Sequence, residues 1–189
     1  MRIALVPPLL SLCCACAIAP MDGAQEQSSP ELNAQIRNLE FRARDFATNA
    51  GLSSIREGEV RVWMSSVNTL NGLNLVDREV IKFVFSFRTS DRQSSQVEIH
   101  RNAIWVRAVP SPEVVQQIRE AATNVLDLHG RDLSCADVLD GSTYLVEAML
   151  GGTRALLQAY EPDEYSNDDC RRIWALATMM RSAASPRTR

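Results

Sequence analysis

The stretch TYLVEAML-GG-TRALLQAY, from Thr143 to Tyr160, decides how the rest of the chain is read. Two apolar-rich runs are separated only by Gly151-Gly152, and paired glycines supply the positive φ angles of a two-residue primed turn. This spacing predicts a tight antiparallel hairpin with the glycines as its loop. In that register Leu150 faces Thr153, Ala148 faces Ala155, Val146 faces Leu157 and Tyr144 faces Ala159, giving one nearly apolar sheet face. The opposite face is mixed, with Leu145, Leu156 and Gln158 beside Glu147 and Arg154. Those two charges are diagonal neighbours and are expected to form an exposed ion pair.

Working outward, the flanks of the hairpin carry Cys135 and Cys170. Of the chain's 5 cysteines, Cys13, Cys14 and Cys16 lie near the amino terminus, so these two are the pair left for the folded part. Arg2 followed by the apolar run Ile3 to Ala19, broken only by Ser11, reads as an export signal over residues 1–17. Pro7-Pro8 and its borderline length argue against a spanning helix. Export implies an oxidising compartment, periplasm or cell envelope, and hence a Cys135–Cys170 disulfide. Closing such a loop stabilises a fold by about 3 to 4 kcal/mol in the chain-entropy model. Two cleavage readings stand: Ala15-Cys16-Ala17 suits ordinary signal peptidase, whereas Cys16 after Ala15 partly resembles a bacterial lipobox, with Cys13 where leucine is usual. The second would anchor the protein to a membrane through a lipid on Cys16. Residues 18–29 are small and polar and read as a tether.

A chain of 189 residues that is 46% hydrophobic and 23% charged has the composition of one domain with a real core, placed at 30–182 and followed by a frayed tail, 183–189. The formal charge of −3 leaves no global basic field, so no nucleic-acid partner is expected. Lys82 is the single lysine; arginine carries the rest of the positive charge.

Three helices are predicted. Ser29-Pro30-Glu31 is a capped start, and Leu32, Ile36, Leu39, Ala43 and Phe46 recur on one face until Asn49-Ala50-Gly51. Pro110-Ser111-Pro112-Glu113 opens a second, with an apolar stripe running to His129-Gly130. Ser166, with Asp169 three positions on, is the expected N-cap of a third, whose inward face holds Cys170, Ile173, Trp174, Ala177 and Met180. Strands are predicted at Glu59–Met64, at Glu79–Thr89 with Ile81, Phe83, Phe85 and Phe87 on one face, and at Gln96–His100 and Ala103–Val109 around Arg101-Asn102. The phenylalanine strand is expected to be central. Ser65 to Asp77, with Asn71-Gly72, reads as a polar loop. The fold class is α+β: an antiparallel sheet of about five or six strands packed by two or three helices in two layers, preceded by the signal segment.

Functional residues are sparse. His100 and His129, without a clustered Cys or carboxylate, do not make a zinc site, and Asp137 with Asp140-Gly141 lacks the ligand spacing of a calcium loop; no cofactor is expected. No phosphate loop, nucleophile elbow or dinucleotide fingerprint is present. The remaining surfaces are two. The run Glu161 to Asp169 packs five carboxylates into nine residues, and helix capping accounts for Asp168 and Asp169 better than for Glu161, Asp163 and Glu164. Arg61 and Trp63 share a strand face, either as a cation-stacking contact surface or with Trp63 shielded by a helix, the favoured reading. The expected function is a non-enzymatic binding, inhibitor or immunity-type domain that recognises another macromolecule, with a protein of the cell envelope as a candidate partner. The alternatives are a structural or assembly lipoprotein, and an envelope enzyme using dispersed residues such as His100, Glu147 and Asp140.

Overall fold

The computed structural model describes residues 29–66, 69–88, 98–136 and 141–185, including their side chains apart from residues 85–88 and 98–105. The export signal, Cys16, nearly all of the tether, Asp137 and Asp140 lie outside the described residues.

The hairpin forms in the expected register. Strands β6 (Thr143–Leu150) and β7 (Thr153–Tyr160) pair Leu150 with Thr153, Ala148 with Ala155, Val146 with Leu157 and Tyr144 with Ala159. Gly151 and Gly152 take φ of 58° and 74°, as a primed turn requires. The Glu57 carboxylate accepts hydrogen bonds from both glycine amides, at 2.6 and 3.1 Å, and ties the turn to the segment before the first strand.

That first strand, β1 (Val60–Ser65), lies against β6, with Arg61 opposite Glu147 and Trp63 opposite Leu145. On its other side runs β2 (Thr69–Val76), inside the segment expected to be a loop. TLNGLNLV lacks simple alternation because the strand is covered on both faces, as buried strands are. Gly72 is a close-approach glycine rather than a turn glycine: a Cβ there would lie 2.5 Å from Trp63 Cζ3. Beyond β2 come β3 (Glu79–Arg88) and the edge strand β4 (Glu98–Ala108). The two strands predicted around Arg101-Asn102 are therefore one. Its register slips between the Val84–Ile104 and Ser86–His100 pairs, so the break is a bulge. At the opposite edge, β5 (Asp132–Ser134) runs parallel to β7; its three residues are too few to show a pattern.

The described sheet thus has seven strands, not five or six, in the order β4-β3-β2-β1-β6-β7-β5, all antiparallel but for the β5–β7 pair. The class is α+β. β1 holds the middle, and the phenylalanine strand β3 is second from one edge.

Helices cover both faces, which corrects the two-layer expectation. Helix α1 (Pro30–Asn49), capped by Ser29 Oγ accepting from Leu32 N at 3.1 Å, buries Leu39, Ala43 and Ala47 against Trp63, Leu70, Phe83, Leu145 and Leu156. Helices α2 (Pro112–Thr123) and α3 (Asp168–Ala183) pack on the other face, over Val60, Val62, Val146, Ala148, Ala155 and Leu157. An even division of apolar side chains along β1 and the hairpin leaves two oily faces, and each needs its own cover. Helix α2 ends at Thr123, before the predicted His129; a 3-10 turn, Leu126–Leu128, follows, and Val125 and Leu128 stay in the core. Ala184, expected in a frayed tail, is 1% exposed. Cys135 and Cys170 form a disulfide with Cα atoms 5.8 Å apart, pinning the start of α3 to the loop after β5. No helix among the described residues is long and apolar enough to cross a membrane.

Candidate functional site

The acidic run is folded into a compact loop whose carboxylates have separate tasks. At its start Glu161 adopts φ of 48°. Its amide donates to Ser142 O at 2.9 Å, and its carboxylate accepts from Ser142 N. The Tyr160 hydroxyl accepts from Gly141 N at 2.8 Å, so the loop is clasped against the entry to β6. Pro162 is buried. Asp163 Oδ1 then accepts from Tyr165 N at 2.9 Å and from Ser166 Oγ at 2.7 Å, while Ser166 Oγ accepts from Asp163 N at 3.1 Å. The Ser166 hydroxyl is the main reason that the Asp163 carboxyl is held below its ordinary range. Since Ser166 is engaged in this turn, the N-cap of α3 is Asn167, whose side chain accepts from Cys170 N at 3.0 Å, in place of the expected Ser166.

Beyond the cap the acids are neutralised. Asp168 pairs with Arg171, and Asp169 with both Arg172 and Arg131, the last at 3.0 Å. Arg172 also holds Asp127 at 2.9 Å. Of the five acids only Asp168 and Asp169 are paired with arginines among the described residues; Glu161 and Asp163 accept from amides and a hydroxyl instead. Outward the loop presents Asp163 and Glu164, the latter without a hydrogen bond or ion pair to a described residue, and Tyr165, 87% exposed.

Arg61 and Trp63 belong to the interior. Both are 1% exposed, so the contact surface expected from them is replaced by a core role under α1. Trp63 packs its ring 5.8 Å from Phe46 of α1 and 6.2 Å from Phe83, the helix-shielded alternative. Arg61 sits between Glu59 at 2.8 Å and Glu147 at 3.6 Å. The chain of charges continues outward through Arg56 to Glu59, and through Arg154, which bridges Glu147 at 3.0 Å and Glu40 at 2.9 Å. Three arginines and three glutamates thus alternate from surface to core and back. Burial of the central members costs several kcal/mol per ion, which alternation offsets only because each buried charge has a partner on either side. The Glu147–Arg154 pair is therefore not the exposed one predicted: Glu147 is 4% exposed. Its signal was in the sequence, as Glu59 and Arg61 two apart on one strand and Glu147 diagonal to Arg154. Which strand neighbours which was not.

Of the dispersed catalytic set only Glu147 falls among residues whose side chains are described. Glu147 is committed to its two arginines, while Asp140 and the side chain of His100 lie outside what is described. His129 Nδ1 accepts from Leu156 N at 3.0 Å, which requires the neutral ring. Burial first, and the Arg154 charge second, push its pKa down, with Glu40 opposing. Among the described residues no three His, Cys, Asp or Glu side chains are grouped to hold a metal ion. No protein-family model matches this chain, and no curated protein or solved structure matches it.

Proposed function

We propose that this chain is an exported domain of the bacterial envelope that binds another protein without catalysis, through the loop between β7 and α3. The observation that carries the reading is Tyr165, 87% exposed on a loop in which the Glu161, Asp163 and Tyr165 amides are each hydrogen-bonded. Tyrosine offers a large amphipathic contact area for little loss of side-chain freedom, and such residues dominate binding energy at interfaces. Glu161 and Asp163 fix the loop from within, and the Cys135–Cys170 bridge fixes its far end. A pre-ordered loop gives up little entropy on binding. Glu164 beside the ring supplies the charge that favours a basic partner surface. The disulfide is compatible with the oxidising compartment to which the amino-terminal signal would direct the chain.

The test is retention of envelope proteins on the immobilised wild-type domain compared with Tyr165→Ala and Glu164→Arg. Truncation of an anchor residue of this kind costs about 2 kcal/mol or more, near thirtyfold in affinity. Any partner held by wild type should be lost from Tyr165→Ala and weakened on Glu164→Arg. Partners bound equally by all three proteins rule this surface out. Neither side chain holds the core, so both variants should keep the wild-type circular dichroism.

A further inference from the structure

Near the end of the sheet where α3 finishes, on the face away from α1, a cavity of about 220 Å³ is lined by side chains from four strands and a helix. Lys82 enters it from β3, Asn71 from β2, Tyr144 from β6 and Arg181 from the last turn of α3, with Ser142 at the entry to β6. Strand register explains the convergence. Tyr144, Met64 and Asn71 stand abreast on β6, β1 and β2, and Lys82 stands beside Leu73 in the neighbouring row.

The charge balance here differs from that of the cleft under α1. No carboxylate lines this cavity among the described residues. Arg181 directs Nη2 to the Met64 sulfur at 3.1 Å and to the Tyr144 hydroxyl at 3.4 Å, neither of which neutralises it. Lys82, the single lysine, is half-buried and makes no ion pair or hydrogen bond with a described residue. The cleft under α1, by contrast, brings Glu40 and Glu147 to its arginines. Two cations lining one small cavity without an acid repel one another, and the half-buried Lys82 is also partly desolvated, a cost that an anion between them removes. The donors suit an oxyanion: ammonium and guanidinium for charge, with a phenol, a serine and a carboxamide to complete its hydrogen bonds. Water fills about 30 Å³ per molecule, so the space holds a tetrahedral oxyanion with some solvent.

We infer that Lys82, Arg181 and Tyr144 form a binding site for a phosphoryl oxyanion, either free phosphate or the head group of a phosphate monoester.

Inorganic phosphate is titrated into the full chain at constant ionic strength, followed by calorimetry and phosphorus NMR. Wild type should bind one equivalent saturably, and Lys82→Gln and Arg181→Gln should each weaken binding at least tenfold. Arg44→Gln, which removes an exposed arginine from the α1 cleft, should bind as wild type does. Should Lys82→Gln not fold by circular dichroism, Arg181→Gln at the exposed end of α3 carries the comparison. Vesicles containing phosphatidic acid, added as competitor, separate the two sources: displacement of phosphate assigns a lipid head group, and no displacement assigns the free ion. Absence of saturable binding in both arms overturns the site. So does an equal response from wild type, Lys82→Gln and Arg181→Gln, which is the general salting effect of phosphate.

Discussion

Gly72→Ala is the perturbation whose consequence the packing specifies most closely. Gly72 lies in β2 opposite Trp63 of β1 and Phe83 of β3, with no unusual backbone angle to maintain. An added methyl would meet Trp63 Cζ3 at 2.5 Å, Trp63 Cε3 at 2.7 Å and Phe83 Cδ2 at 3.1 Å. Carbon atoms rest at about 3.5 to 4.0 Å, so the indole has to retreat by roughly 1 Å. It has nowhere to go, being 1% exposed beneath Phe46 and α1. Overpacking of this kind costs about 1 to 3 kcal/mol, and the upper part of that range applies to a rigid ring. Replacing a strand glycine by alanine recovers about 0.5 to 1 kcal/mol of backbone entropy. The net expectation is a loss of about 2 kcal/mol. Urea denaturation followed by far-ultraviolet circular dichroism measures it, with an unchanged slope as the check on two-state behaviour. The diagnostic is the partner variant. Trp63→Leu opens a cavity and is itself destabilising, but Gly72→Ala in that background should cost at least about 1 kcal/mol less than in wild type. A neutral or stabilising Gly72→Ala, or strict additivity with Trp63→Leu, refutes the steric account.

Two further outcomes follow from buried charge. Arg61→Met keeps the bulk of the side chain while leaving Glu59 and Glu147 facing one another, each with its outer arginine still in place. The expected loss is about 3 kcal/mol, at the lower end for a broken buried pair, and a midpoint in urea at or above wild type contradicts it. His129 sets a pH dependence. Its folded-state pKa is depressed, so its contribution is fully present above the ordinary value near 6.5 and is lost as pH falls through the folded value. The stability difference between wild type and His129→Gln should be flat above about pH 6.5 and turn against wild type below it; an NMR titration placing the His129 pKa above 6.5 reverses the sign and defeats the reasoning.

Local chemistry makes part of this molecule legible in its sequence. The register of β6 and β7 followed from Gly151-Gly152 alone, because a two-residue loop leaves only one pairing that keeps Val146, Ala148, Leu157 and Ala159 together. The start of α1 was legible from Ser29-Pro30. Cys135 and Cys170 paired by elimination, since the other cysteines fall in the amino-terminal apolar segment. β2 was missed because a strand covered on both faces has no alternation, and Asn71-Gly72 mimics a turn when the neighbouring Trp63 is out of sight. β5 was missed because parallel pairing is specified by the partner, Gln158 to Tyr160, rather than by Asp132–Ser134. In the acidic loop, composition registered five carboxylates but not the arginine partners of Asp168 and Asp169. Arg131 and Arg172 reach Asp169 from 38 and 3 residues away, and the distant one comes within range only through the fold.

The sequence by itself determined the hairpin, the starts of α1 and α2 and the disulfide, because each depends on residues adjacent in the chain or on a cysteine count. Only tertiary structure decided where α1 lies. By covering the second sheet face it turned Arg61 and Trp63 from candidate surface into core, and left Tyr165 and the Lys82–Arg181 cavity outside it. The physical reason is that strand periodicity states which side chains share a face and nothing about what covers that face. A charge becomes structural or available according to the partners that the strand order brings beside it.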